Sequence, residues 1–228
     1  MNLDFACFNA DWTRRASVNT QSKLTAVLSA YIADDMVVPA AVTLSEVNAR
    51  TARETARLAG DTYEFINAKV GYDHLALLWD SARLEKTGAH VVSTVGKYIA
   101  APFRVCDTNN DIVLASAHLP RKRATRGVGG SVLDRAHGML DAAVNRMLDD
   151  IGGTAAVIKG DLNTPPDRLL ELYPDYERAF TAGDTTTCNG TCPDNVLVWI
   201  NDDAADFVSQ VFDDCRHFDH YPLWVQVN

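Results

Sequence analysis

Residues 155–163 read AAVIKGDLN, an apolar run that ends in Gly160, Asp161 and Asn163. The four compact apolar residues at its start are typical of a buried strand. Polar residues directly after such a strand tend to lie at the rim of a sheet, where distant segments can assemble a site. This stretch therefore predicts a buried strand that carries Asp161 and Asn163 to a site.

The same pattern, a polar group beside an apolar run, recurs at other strand-like segments of the chain. The residues concerned are Asn9, Glu46 and His118, which follow such runs, and Asp219 and His220, which precede the last one. One polar residue at a strand end is usually a turn residue. Their recurrence in this order and combination indicates instead that several strands contribute to one site.

The hydrophobic periodicity of the rest of the chain predicts an α/β protein. Helical periodicity is clearest after Ser131, where Leu133, Leu140 and Val144 fall on one face. Between residues 63 and 113 the apolar runs are short and β-like. Strands interspersed with few amphipathic helices favour a mixed sheet covered by helices. No break in composition divides the sequence, so we expect a single domain over residues 1–228.

The chain is acidic, with a formal net charge of −9. This charge disfavours capture of nucleic acid by the whole surface, so the local distribution of charge must decide that question. The N-terminus lacks the regions of a signal peptide, and no apolar run reaches the ~20 residues of a membrane span. The 5 cysteines, an odd number, suit free thiols in a reducing compartment. We therefore expect a cytoplasmic protein without a membrane partner.

The predicted rim is suited to a hard divalent cation. Carboxylate and amide oxygens are the ligands that Mg²⁺ and Mn²⁺ prefer, and such ions need only one or two protein carboxylates. Glu46, together with Asn9 or Asp219, would provide them.

In their order along the chain, these segments resemble the endonuclease/exonuclease/phosphatase superfamily, from Leu3 to Val227. Gly160-Asp161-Leu162-Asn163 is similar to its Gly-Asp-Phe-Asn motif, and the terminal Phe218-Asp219-His220-Tyr221-Pro222 to its Ser-Asp-His-Xaa-Pro motif. The further matching segments are Phe8-Asn9, Leu44-Ser45-Glu46 and Asp194-Asn195-Val196.

The resemblance implies a four-layer α/β sandwich, with two mixed, mainly antiparallel sheets flanked by helices. It implies a hydrolase of phosphate esters that depends on Mg²⁺ or Mn²⁺, in which each motif residue has a role. In the implied assignment the metal residues are Asn9, Glu46 and Asp219, the water-orienting residues are Asp161 and Asn163, the phosphate-contacting histidine is His220 with Asp194 as its partner, the leaving-group acid is His118, and a possible carboxylate partner is Asp73.

Basic residues close to the motif segments predict the substrate class. They are Arg14, Arg15, Arg50, Arg121, Lys122, Arg123 and Arg126. A basic rim around an acidic centre suits contacts with phosphates on both sides of a scissile bond, which favours a nuclease. We expect DNA rather than RNA as its partner. We expect a monomer.

Three alternatives to a nuclease remain open. The basic residues could only balance an acidic surface. The substrate could be a small phosphorylated metabolite or a lipid head group. The chain could also be a catalytically silent binding module, although every catalytic residue type of the resemblance is present.

Overall fold

The computed structural model describes residues 3–10, 25, 28, 39–71, 73–121, 132–181, 183–187, 190–201, 206–212 and 220–228. The helices within these ranges are α1 (Ala49–Ala59), α2 (Val132–Ile151) and α3 (Pro166–Leu172). The strands are β1 (Leu3–Asn9), β2 (Ala41–Ser45), β3 (Tyr63–Val70), β4 (Asp73–Asp80), β5 (Leu84–Lys86), β6 (Val91–Ser93), β7 (Tyr98–Val105), β8 (Asp111–His118), β9 (Ala155–Asp161), β10 (Glu177–Arg178), β11 (Asp194–Ile200), β12 (Phe207–Val211) and β13 (Leu223–Val227).

The described strands form two sheets. The 6-stranded sheet has the order β12-β13-β1-β2-β4-β3, and the 7-stranded sheet has the order β10-β11-β9-β8-β7-β5, with β6 also paired to β7. The pairs β1–β2 and β8–β9 are parallel, whereas the other described pairs are antiparallel. Both sheets are therefore mixed and mainly antiparallel, which confirms the predicted fold class.

The alternation of side chains along each strand divides the core into three apolar layers. In β9, Ala155 and Val157 pack between the two sheets, whereas Ala156 and Ile158 pack against the side of the sheet covered by α2. A third apolar cluster joins the outer face of the 6-stranded sheet to α1. The order of layers is thus helix, sheet, sheet, helix, because both faces of each sheet are apolar and must be covered.

The helices begin where the sequence provides suitable residues. Asn48 caps α1, since its side chain accepts a hydrogen bond of 2.8 Å from the backbone N–H of Thr51. Arg50, Arg53 and Arg57, whose spacing also predicts a helix, lie on α1. The stripe predicted after Ser131 lies on α2. The short α3 was not predicted; it starts at Pro166, which suits the first turn because proline has no N–H to leave unpaired.

The helical spacing of Leu24, Val27 and Leu28 also predicts a helix after Ser22. Most of this segment lies outside the described residues, and within it Thr25 and Leu28 are helical and buried. Cys7, Cys106 and Cys192 are free thiols. Among the described residues, no helix has the length and apolar character needed to cross a membrane.

Candidate active site

Three polar residues stand side by side across the 7-stranded sheet. His118 of β8 is paired in register with Asp161 of β9, and Asp161 is paired with Asp194 of β11. Because side chains alternate along a strand, each of the three points to the space between the two sheets. Apolar residues of the same strands, such as Leu114 and Val157, face the same space and form part of the core. The apolar interior therefore ends in a polar row, with His118 5%, Asp161 1% and Asp194 1% exposed.

The other sheet brings Asn9 and Glu46 to the same end of the interior. Asn9 of β1 is in register with Ser45 of parallel β2, so Glu46 directly follows the paired position. Glu46 has a φ of 54°, in the left-handed region that is uncommon outside glycine. Such a conformation at the end of a strand is typical of functional sites, where the surrounding structure holds a strained residue in place.

Direct contacts join the polar ends of the two sheets. The amide nitrogen of Asn9 donates a hydrogen bond of 3.3 Å to Oδ2 of Asp161. Nε2 of His118 lies 3.6 Å from Oε1 of Glu46 and 3.7 Å from Oδ2 of Asp161. Four residues from four strand ends, 152 positions apart at the extremes, thus converge on one small volume.

His220 completes this group from the C-terminal part of the chain. Its Nδ1 lies 2.8 Å from Oδ2 of Asp194 and 4.0 Å from Oδ2 of Asp161. The backbone of His220 forms an isolated antiparallel bridge with Thr187. Asp161, Asp194 and His220 each offer one possible metal-ligand atom, and these atoms all lie within 4.8 Å of one another.

Thr186 is a member of this group that the sequence did not reveal. Its hydroxyl donates a hydrogen bond of 3.1 Å to Oδ2 of Asp194, the same oxygen that contacts His220. Its carbonyl accepts a 2.7 Å hydrogen bond from the N–H of Tyr221, next to His220. Thr186 lies in the run Thr185-Thr186-Thr187, which carries no motif, and only the tertiary structure distinguishes it from its neighbours.

The loop after β9 has a backbone that depends on its sequence. Gly160 has a φ of 138°, and a Cβ atom there would overlap the carbonyl group of Ala117 on β8. Asn163 has a φ of 50°, and its N–H donates a 3.0 Å hydrogen bond to Oδ1 of Asp161. Its side-chain nitrogen donates to the carbonyl of Leu119 at 2.7 Å. Asn163 therefore fixes the loop that follows Asp161 against the end of β8.

Burial has the largest effect on the pKa of the central carboxylate, Asp161. It raises the pKa of Asp161 above its usual range, and the neighbouring carboxylate of Asp194 raises it further. A divalent cation would favour the ionised form of such a buried carboxylate. The oxygens of Glu46, Asp161 and Asn9 are hard donors at the same edge, so the donor set fits Mg²⁺ or Mn²⁺.

Two buried groups near the site were not predicted to have a role. Lys159 faces the space between the sheets, and its Nζ lies 5.1 Å from the centroid of the Phe5 ring without a hydrogen-bond partner among the described residues. The sequence around His137 carries no motif, which predicts a position at the surface or a helix flank, but this residue is only 2% exposed. Its ring nitrogens lie 2.9 Å from the hydroxyl of Tyr173 and 2.8 Å from that of Thr164.

The structure describes only part of the predicted basic rim. Arg50 is exposed on α1, and Arg121 is exposed after β8. Asp73 begins β4, at the same end of the sheet as Glu46, but only its backbone is described. The predicted residues outside the described part of the chain are Arg14, Arg15, Lys122, Arg123, Arg126 and Asp219.

No protein-family model matches the sequence, and no curated protein matches it at a significant level. Solved structures do match its fold. An endonuclease/exonuclease/phosphatase protein from Bacteroides vulgatus aligns with a TM-score of 0.74 at 11% identity, covering 100% of this chain and 99% of that one. The chain has the endonuclease/exonuclease/phosphatase fold. This outcome confirms the predicted resemblance at the level of the fold.

Two further structures with the endonuclease/exonuclease/phosphatase fold differ in their reported chemistry. A mannosyl-6-phosphatase from Bacteroides thetaiotaomicron aligns with a TM-score of 0.73 at 12% identity, covering 99% of each chain. TDP2 from D. rerio, solved with a single-strand DNA product, aligns with a TM-score of 0.68 at 11% identity, covering 100% of this chain and 99% of that one. The fold therefore does not by itself select a substrate.

Proposed function

We propose that this protein is a metal-dependent phosphoric ester hydrolase, and that it is a nuclease acting on DNA. The observation that carries the proposal is the buried row of His118, Asp161 and Asp194, with His220 held 2.8 Å from Asp194. Carboxylates and imidazoles buried together at a sheet rim suit proton transfer and contact with an anionic ester.

In the proposed reaction, each residue acts through a defined atom. Oδ2 of Asp161 accepts a hydrogen bond from the attacking water and orients it toward phosphorus. His220 uses Nδ1 to donate to Asp194, which presents Nε2 to a phosphate oxygen. His118 donates a proton from Nε2 to the leaving oxygen; this nitrogen lies 3.6 Å from Oε1 of Glu46 and 3.7 Å from Oδ2 of Asp161.

The proposed cofactor is Mg²⁺ or Mn²⁺ held by Glu46, with Asn9 and Asp219 as further contacts. When bound, the cation would neutralise the charge of the nonbridging phosphate oxygens. The amide nitrogen of Asn9 donates to Asp161, so the atom of Asn9 that would contact the cation is its carbonyl oxygen.

A DNA substrate is supported by two observations. Arg121 is exposed three residues after His118, the last residue of β8, and is the first residue of the basic stretch 121–126 of the sequence. The similar fold of TDP2 from D. rerio was solved with a single-strand DNA product. Basic residues on the approach to a carboxylate centre provide phosphate contacts that the acidic chain as a whole lacks.

A phosphatase for a small phosphorylated metabolite is the second candidate. The mannosyl-6-phosphatase supports it, because its fold is similar and the alignment covers both chains almost completely. The nuclease and the metabolite phosphatase would use the same row of residues. They differ in the number of substrate phosphates that contact the basic residues around the site.

A cleavage assay separates these functions. The purified protein is incubated with duplex DNA, single-stranded DNA, RNA, an abasic duplex and a set of sugar phosphates, each with Mg²⁺, Mn²⁺ or EDTA. We expect metal-dependent cleavage of DNA that EDTA abolishes. Release of inorganic phosphate from a sugar phosphate alone would instead establish the metabolite phosphatase, and no reaction with any substrate would indicate a binding module.

Matched variants exclude a contaminating enzyme. Asp161→Asn and His220→Ala should lose the activity. His90→Ala should retain it, because His90 is exposed before β6 and lies outside the group of contacts described above. Equal activity of all three variants would show that the cleavage does not come from this site.

A further inference from the structure

His137 is a buried titratable residue that the proposed reaction does not use. It lies on α2 and is only 2% exposed. Nε2 of its ring lies 2.8 Å from the hydroxyl of Thr164, the residue that follows Asn163. One hydrogen bond therefore joins α2 to the loop after β9, residues 162–165, which directly follows Asp161.

The other ring nitrogen of His137 contacts the far end of α3. Nδ1 lies 2.9 Å from the hydroxyl of Tyr173, the first residue after α3. The Tyr173 ring also packs edge-on against the imidazole, with 5.4 Å between the ring centroids. Both ring nitrogens thus have hydroxyl partners, which fixes the orientation of the imidazole and ties the segments on either side of α3 to α2.

The imidazole of His137 is neutral near pH 7. Burial lowers its pKa from 6.5 to about 4. A neutral imidazole has one N–H donor and one acceptor nitrogen, so one hydroxyl donates to the ring and the other accepts from it. Thr164 and Tyr173 are 1% and 2% exposed, so the loss of either hydrogen bond would leave a buried polar group unpaired.

Thr164 directly follows the residue that fixes the loop after β9 on its other side. The N–H of Asn163 donates a 3.0 Å hydrogen bond to Oδ1 of Asp161, and its side-chain nitrogen donates to the carbonyl of Leu119 at 2.7 Å. Asn163 also has a φ of 50°, a conformation that persists only where neighbouring contacts support it. The end of β8 and the side of α2 therefore hold this loop at two successive residues, and the first of them is bonded to the carboxylate of Asp161.

We propose that His137 is a positioning residue of the candidate active site, which holds the loop after β9 through Thr164 and thereby fixes the carboxylate of Asp161. Its effect on catalysis rests on the proposed function, in which Asp161 orients the attacking water. A small displacement of this carboxylate misaligns the water with phosphorus. The chemical step should therefore slow down, whereas the binding of the phosphate ester should change little.

Two substitutions of His137 separate its two hydrogen bonds. Glutamine places its terminal amide about where Nε2 of the imidazole lies, so His137→Gln keeps a partner for Thr164. Asparagine places its amide about where Nδ1 lies, so His137→Asn keeps a partner for Tyr173 and loses the one for Thr164. Thermal melting shows that each variant is folded at the temperature of the measurements.

Hydrogen exchange at the backbone amide of Asn163, measured by NMR without substrate, tests the position of the loop. This N–H donates to Asp161, so its exchange rate reports how often that hydrogen bond opens. We expect exchange about tenfold faster in His137→Asn than in His137→Gln. Equal rates in the two variants, or faster exchange in His137→Gln, would overturn the proposal.

Steady-state kinetics on the substrate identified by the cleavage assay test the effect on catalysis. We expect kcat to fall about tenfold in His137→Asn and in Thr164→Val, with KM within about twofold of that of the unmodified chain. In His137→Gln, kcat should stay within about threefold of that of the unmodified chain. Tyr98→Phe is the control and should keep full kcat, because it removes a 3.0 Å hydrogen bond between β7 and the carbonyl of Met139 on α2.

The two measurements distinguish a failure of the positioning role from a failure of the proposed function. If the unmodified protein hydrolyses no phosphate ester, the proposed function fails, and the exchange rates of Asn163 alone decide whether His137 holds the loop. If the unmodified protein is active and folded His137→Asn and Thr164→Val keep its kcat, His137 is only structural and the positioning role is overturned.

Discussion

Oδ2 of Asp194 lies 2.8 Å from Nδ1 of His220 and 3.1 Å from the hydroxyl of Thr186. One carboxylate oxygen therefore fixes both the ring orientation of His220 and the segment that pairs with it through Thr187. Asp194 is itself fixed by its register with Asp161 on β9. The position of the histidine thus depends on the sheet, although no regular strand carries it.

Asp194→Asn should lower kcat by about 10²–10⁴, because an amide neither selects the tautomer of His220 nor stabilises its charged form. Thr186→Val should lower it about fivefold, since one hydrogen bond to Asp194 is lost. Both values come from steady-state kinetics on the substrate identified by the cleavage assay. A variant Asp194→Asn with full kcat would remove the pair from the mechanism.

Glu46→Gln should raise the Mg²⁺ concentration needed for half-maximal activity by at least about tenfold, because a charged hard ligand becomes neutral. Glu54→Gln is the matched control, since Glu54 pairs with Arg57 on the exposed face of α1. Activity is measured against Mg²⁺ concentration for both. Identical curves for the two variants would contradict a metal role for Glu46.

Gly160→Ala should destabilise the fold by at least about 3 kcal/mol, because a Cβ atom would overlap the backbone of Ala117 and φ is 138°. Gly138→Ala is the control, because nothing lies within 4 Å of its Cβ position on α2. It should stabilise the helix by about 0.5–1 kcal/mol. Urea denaturation gives both free energies of unfolding. An unchanged free energy of unfolding for Gly160→Ala would contradict the predicted overlap with Ala117.

His137 should make the protein less stable as the pH falls from 6.5 toward 4. Burial lowers its pKa from 6.5 to about 4, so in this window the unfolded chain binds a proton that the folded chain does not. The free energy of unfolding should fall by about 3 kcal/mol from this residue. His137→Gln should reduce the slope, whereas His90→Gln, at an exposed position, should not. Denaturation at several pH values measures the slope of stability against pH for each variant, and equal slopes would contradict the role of His137.

Lys159→Met should increase the free energy of unfolding at pH 7 by at least about 2 kcal/mol, because a buried amine without a described partner is replaced by an apolar chain. Burial lowers the pKa of Lys159 from 10.5 to about 7. The unmodified chain should therefore gain stability between pH 7 and 10.5, and the variant should lose this gain. Lys69→Met, at an exposed position on β3, is the control.

Much of the fold could be predicted because each strand is a local pattern. The apolar start of β9 and the amphipathic stripe of α2 depend only on neighbouring residues, and both elements formed where predicted. The helix α3 was missed because it is seven residues long and starts at two prolines, which weakens any periodic signal.

The residues of the candidate site were predicted from their place beside apolar runs, together with the family resemblance. Thr186, Lys159 and His137 carry no such signal. Each depends on which residue packs against it: Asp194 for Thr186, the ring of Phe5 for Lys159, and the residues on either side of α3, Thr164 and Tyr173, for His137. Partners 8 to 154 positions away cannot be inferred from a residue's own neighbours.

By itself, the sequence determined the type of each main element, the α/β class with a mixed sheet covered by helices, and the polar residues at the strand ends, since hydrophobic periodicity and strand-end chemistry are local properties. Only the tertiary structure decided that His118, Asp161 and Asp194 share one row and that Asn9 meets Asp161 across the sheets. The reason is that strand register and sheet packing are set by the simultaneous burial of all apolar faces, which no single segment specifies.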